Sequence, residues 1–128
     1  MNVQHPRPAF ADDRGMITDL LIDTPVEHVT LISSRAGSVR GNHYHRETTQ
    51  YLYVIRGRMR LRTQQPAGPV EERIVAEGDL FVNTPGERHA MRALDDTVFM
   101  VFTRGPRGGP DFETDTYRLA PDEVLDPA

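Results

Sequence analysis

Residues 37–57 read GSVRGNHYHRETTQYLYVIRG, and this stretch decides the fold. His43 and His45 stand two apart. On a β-strand, residues i and i+2 point to the same face, so both imidazoles can converge on one ion. From Thr49 the chain reads TQYLYVI. A period of two puts Gln50, Leu52 and Val54 on one face and Tyr51, Tyr53 and Ile55 on the other. The next run, RMRLRT from Arg58, alternates Met59 and Leu61 with Arg58, Arg60 and Arg62. Apolar-in and charged-out alternation belongs to a sheet with one wet face. Arg56-Gly57 between the two runs suggests a two-residue hairpin turn.

The same texture continues on both sides of this stretch. Residues 1–12 read as an extended N-terminal arm, ending in the turn Asp12-Asp13-Arg14-Gly15. Met16 to Ile22 is expected as a first strand and Val26 to Ser34 as a second, rich in β-branched residues. Arg35 to Ser38 is a turn. Val70 to Ala76 and Leu80 to Asn83 follow as strands, separated by Glu77-Gly78-Asp79. His89 to Leu94 and Thr97 to Thr103 are expected to form a hairpin across Asp95-Asp96. Residues 104–114 read as an irregular loop, Thr116 to Leu119 as a last strand, and Pro121 to Leu125 as one helical turn. Short strands punctuated by Gly and Pro turns predict an all-β sandwich or barrel.

Composition narrows the chemistry. The chain has 128 residues, one domain's worth, with ten Gly and ten Pro. It has no cysteine, so disulfides and thiolate metal sites are excluded and any metal must take His, carboxylate or amide ligands. The net charge of -4 argues against a nucleic-acid surface. No apolar run is long enough to span a bilayer, and the N-terminus lacks the apolar stretch of a signal peptide. A cytoplasmic protein without a membrane role is the expectation.

His89 follows Pro85-Gly86 at the start of a strand, where an antiparallel barrel can bring it opposite His43 and His45. The order of these parts resembles the cupin superfamily. The first cupin motif is G-x5-H-x-H, then three or four residues, E, six residues and G. Gly37, His43, His45, Gln50 and Gly57 fall on those positions, with Gln in place of the acid. Gly78, Pro85, Gly86 and His89 follow the second motif, with one extra residue before the Pro and Ala93 where the motif often has Asn. The resemblance spans roughly residues 12–119. It implies a single antiparallel jelly-roll β-barrel with an arm at 1–11, and one divalent transition metal (Zn, Ni, Fe or Mn) on His43, His45, Gln50 and His89. His5 and His28 lie outside this pattern and read as exposed or packing residues. Three imidazoles and a neutral amide leave the site's charge near that of the ion, which weakens binding and raises Lewis acidity.

Within the superfamily, the run Arg40-Gly41-Asn42-His43-Tyr44-His45 is similar to the R-G-N-H-Y-H cupins of capsular-polysaccharide sugar enzymes, as are Asp13-Arg14-Gly15 and Asp115-Thr116-Tyr117. That likeness implies zinc and an epimerase-like action on a keto-sugar nucleotide. R-G-x-H-x-H followed by Gln also resembles the metal-free nucleotide-sugar 3,4-ketoisomerases, in which His43 or His45 would be the acid/base. His89 favours the metal. A polyketide cyclase, a dioxygenase and a non-catalytic ligand-binding cupin are the other readings, the last because no carboxylate base is evident from the sequence. In each case the partner is a small molecule. Arg40 is the candidate anion-binding residue at the barrel mouth. Met91 and Phe99, with Met100, Val101 and Phe102, are candidates for an apolar lining. The resemblance also implies a homodimer, pairing sheets or exchanging arms, with Arg58, Arg60 and Arg62 either solvated or at the contact.

Overall fold

The computed structural model describes residues 1–106, 110 and 113–128, so part of the expected 104–114 loop lies outside the described residues. The first sheet contains β1 (Asn2–Gln4), β4 (His28–Ser34), β6 (Thr49–Arg56), β9 (Leu80–Asn83) and β11 (Thr97–Arg104), in the order β1-β9-β6-β11-β4. The second contains β5 (Val39–Tyr44), β7 (Arg58–Gln64), β8 (Val70–Ala76), β10 (Arg88–Ala93) and β12 (Tyr117–Arg118), in the order β12-β5-β10-β7-β8. All pairings are antiparallel. A separate hairpin pairs β2 (Phe10–Asp12) with β3 (Gly15–Ile17) across the expected Asp-Asp-Arg-Gly turn. The result is a jelly roll of two facing sheets, and the sheets are not closed into a continuous barrel.

The period of two is obeyed where it was clearest. Leu52 and Val54 of β6, Met59 and Leu61 of β7, and Phe99 and Val101 of β11 are buried between the sheets with Val75, Phe81 and Met91. Burial of such side chains contributes about 1.5–3 kcal/mol each, which makes this layer the main source of stability.

The two expected hairpins are not hairpins. β6 pairs with β9 and β11, whereas β7 pairs with β8 and β10. Gly57 therefore turns the chain from one sheet into the other. It has φ +90°, and a Cβ there would lie 2.6 Å from the Asp96 carbonyl oxygen. β10 and β11 are likewise in opposite sheets, with Asp95-Asp96 at the corner. A tight turn and a sheet-to-sheet corner ask for the same glycine and the same flanking alternation, so the local pattern cannot separate them.

Three smaller expectations change. The strand expected over Met16 to Ile22 stops at Ile17, and Met16, Ile17 and Ile22 are exposed. The beginning of the N-terminal arm is docked, since β1 extends the first sheet beside β9. Arg58, Arg60 and Arg62 are engaged within the chain: Arg58 pairs with Asp95, Arg60 with Asp126, and Arg62 with Glu72. Asp126 is buried on the outer side of the second sheet, where Arg60 and Arg92 both fork onto it. Among the described residues no helix is long and apolar enough to cross a membrane. Pro121–Glu123 forms a single 3-10 turn.

Candidate metal centre

The site is built where β5 meets β10. His43 is the register partner of His89, and the ladder is irregular between His89 and Ala90. Gly41 and Asn42 both have positive φ, +94° and +56°. A Cβ on Gly41 would lie 2.7 Å from the His89 carbonyl oxygen. Only glycine lets β5 approach β10 this closely. Asn42 fixes the outer side of the bulge: its Nδ2 donates to the Asp126 carbonyl, and its Oδ1 accepts from the Leu125 and Asp126 amides. The Gly-Asn step is thus the backbone device that brings His43 opposite His89.

His45 joins them from just beyond β5. The ring centroids of His43, His45 and His89 are 4.7–5.2 Å apart, and all three residues are buried. One potential ligand atom from each lies within 4.8 Å of the others. Two of the rings are oriented by main-chain carbonyls. His45 Nδ1 lies 2.9 Å from the Asp115 oxygen and His89 Nδ1 lies 3.3 Å from that of Glu87. A carbonyl only accepts, so each Nδ1 donates and the neutral ring keeps its lone pair on Nε2. Gln50 is 5% exposed and lines the same cavity as His43 and His89.

Beside these lies a polar group that the sequence reading missed. Asn83 is the register partner of Gln50 across β9 and β6. It is 1% exposed, and neither its Oδ1 nor its Nδ2 has a hydrogen-bond partner among the described residues. Buried amides are rarely left so, which marks this end of the sandwich as a polar environment made for more than packing. Its only sequence signal was parity with Phe81 in a short strand. Three clustered imidazoles, two oriented by carbonyls, with an amide on the same cavity wall, are a donor set that fits a divalent transition ion.

The cavity in front of the cluster has a volume of about 610 Å³. Met91, Phe99 and Val101 line it, as does Arg40. Met100 and Phe102 alternate to the outer face of the first sheet and do not line it. Arg40 is exposed and tied to β4, donating through Nε to Ser34 Oγ and through Nη2 to the Ser33 carbonyl. Two further lining residues went unnoticed in the sequence, Glu113 and Arg118. Arg118 is the register partner of His43 on β12, and its Nη2 lies 3.1 Å from both Glu113 carboxylate oxygens. The strand containing Arg118 was legible, but not which strand it would pair with. Glu87, whose carbonyl holds His89, is itself buried and accepts from Gln65. Burial pushes its carboxyl up from the ordinary value. His5 is exposed and bonds Asp79, far in sequence from the cluster.

A jelly roll with an H-x-H pair and a third histidine facing each other between its sheets defines the cupin class of architecture. The cupin domain family model matches residues 31–103, and the chain belongs to that family. No curated protein sequence matches the chain. Solved structures do. It is similar to dTDP-4-dehydrorhamnose 3,5-epimerase from Sulfolobus tokodaii (21% identity, TM-score 0.73, covering 93% of this chain and 77% of that one). It is similar to QdtA, a sugar 3,4-ketoisomerase from Thermoanaerobacterium thermosaccharolyticum in complex with TDP (22%, TM-score 0.70, covering 96% and 92%). It is also similar to the capsular polysaccharide assembling protein CapF from Staphylococcus aureus (25%, TM-score 0.65), of which the chain spans about a third, 86% of this chain against 31% of that one.

Proposed function

We propose that this cupin is an isomerase- or epimerase-like enzyme that acts on a small oxygenated substrate, a keto-sugar derivative. In this reading a divalent transition metal is held by His43, His45, His89 and Gln50. The observation that carries the reading is the clustering of three buried imidazoles, two of which, His43 and His89, line a cavity together with Arg40 and Arg118. A bound divalent ion would supply Lewis acidity, easing negative charge onto a carbonyl oxygen of the substrate. The protein's own groups do the rest. Arg40 and Arg118 donate to an anionic part of the substrate and orient it. Met91, Phe99 and Val101 exclude water from the reacting carbons. Glu113 is the carboxylate of the cavity lining and serves as proton acceptor once Arg118 turns to the substrate.

The test is turnover. Keto-sugar nucleotides incubated with metal-loaded protein in deuterated water should exchange a carbon-bound proton. The exchange should cease after chelation and return with added metal.

A second reading is favoured by two observations. Gln50 brings no charge to the site, and His45 Nδ1 donates to a carbonyl, leaving Nε2 as the basic nitrogen of the neutral ring. His45 or His43 then moves the proton directly in a metal-free ketoisomerisation. Activity would survive a chelator and be lost in His45→Asn.

The proposed working unit is a homodimer. Val29 and Leu31 on edge strand β4 are 59% and 67% exposed, and Phe10, Met16 and Ile17 on the β2–β3 hairpin are also exposed. Apolar surface concentrated this way on an edge strand and a projecting hairpin is covered by a second copy. Light scattering that returns the monomer mass at micromolar concentration would contradict it.

A further inference from the structure

We propose that Asp115 is the positioning residue of the site, holding His45 in one tautomer and one orientation beside His43 and His89. Two parts of the residue act together. Its carboxylate gathers the turn that follows His45: Oδ1 accepts from the Arg46 amide, and Oδ2 from the Glu47 amide, the Thr48 amide and the Thr48 hydroxyl, all at 2.8–2.9 Å. Its carbonyl oxygen accepts from His45 Nδ1 at 2.9 Å. One residue thereby fixes the backbone on which His45 stands and the ring itself.

The arrangement needs an unusual backbone. Asp115 has φ +64°, a left-handed conformation that Asp and Asn tolerate better than other side-chain-bearing residues. The turn it grips cannot move freely. Thr48 is fully buried, and a Cβ on Gly105 would come within 2.9 Å of the Thr48 Cα. The 46–48 turn is therefore packed from one side and hydrogen-bonded from the other. A carbonyl partner of this kind holds an imidazole in its tautomer and raises the basicity of the other nitrogen. This serves a metal ligand and an acid/base histidine equally, so the inference stands apart from the choice between the two readings above.

The experiment is nitrogen-15 NMR of the histidine side chains in chelator-treated protein, comparing the wild type with Asp115→Asn. Asn keeps the left-handed backbone and removes the carboxylate. The neutral wild-type His45 ring should carry its proton on Nδ1 and none on Nε2. In D115N that pattern should relax toward the mixed tautomers of a mobile ring. Zinc affinity, read by competition with a chromophoric chelator, should fall about 10- to 100-fold. A wild-type His45 protonated on Nε2 would overturn the proposal without any variant, and so would a D115N protein with an unchanged His45 tautomer. Wild-type protein that binds no zinc but keeps the Nδ1-protonated ring would sink the metal reading and leave Asp115 in its role.

Discussion

His43 and His89 face each other across the β5–β10 ladder, their ring centroids 4.7 Å apart and their planes at 89°. The pairing depends on Gly41, two residues before His43, where the backbone of β5 bears directly on the His89 carbonyl. Gly41→Ala should therefore do two things. It should destabilise the protein by ~2–4 kcal/mol, from a left-handed alanine and a backbone collision. It should also separate the two histidines. Denaturant unfolding checks the first, and metal affinity in the folded fraction checks the second. A variant as stable as wild type would mean that the bulge is not required.

Gln50 is buried and lines the same cavity as His43 and His89. Gln50→Glu adds one negative charge to the donor set. Divalent-metal affinity should rise tenfold or more, while turnover falls because the ion is less electrophilic. Calorimetric titration with zinc or nickel reads the affinity directly. Weaker binding in the Glu variant would remove Gln50 from the donor set.

Arg118 and Glu113 form an exposed pair on the cavity lining. A pair of this kind contributes about 0–1 kcal/mol to stability. Arg118→Gln should leave thermal unfolding within a degree or two while raising KM for an anionic substrate roughly tenfold. An unchanged KM would assign Arg118 to the surface alone.

How far the sequence reached depends on what each feature encodes locally. Burial parity at Gln50, Leu52, Met59 and Leu61 was legible because a half-buried strand writes its inner face every second residue. The histidine cluster was legible because two of its members share a strand face and the third follows a Pro-Gly turn. Sheet membership was not legible. Gly57 looks the same in a hairpin and in a corner between sheets. Asn83, Glu113, Arg118 and Asp115 were missed as site residues because their roles come from pairing partners distant in the chain. Arg118 meets His43 only through the β12–β5 register, and Asp115 meets His45 only because that register brings the segment alongside. The three alternating arginines of β7 read as solvated or as a subunit contact because two of their partners, Asp95 and Asp126, are distant in the chain, and the third, Glu72, faces Arg62 only through the β7–β8 register.

Asp126 provides a pH test of that tail. Burial works to raise its carboxyl, but hydrogen bonds and charge from Arg92 and Arg60 outweigh it and hold the group below its ordinary value of 3.8. A depressed carboxyl stabilises the fold fully above its unfolded pKa. That contribution is lost as pH falls from about 3.8 through the lower folded value. Asp126→Asn should cost about 2 kcal/mol at neutral pH. The difference from wild type should shrink as both are taken below pH 3.8. Urea midpoints across that range check it, and a pH-independent difference would contradict it.

In the proposed function His43, His45 and His89 hold one divalent metal ion. Elemental analysis of protein purified from metal-supplemented medium tests it most directly, on the wild type and on His43→Ala, His45→Ala and His89→Ala. Close to one transition-metal ion per chain is expected in the wild type and a small fraction of that in each variant. Wild-type protein that is folded, catalytically active and free of transition metal would contradict it.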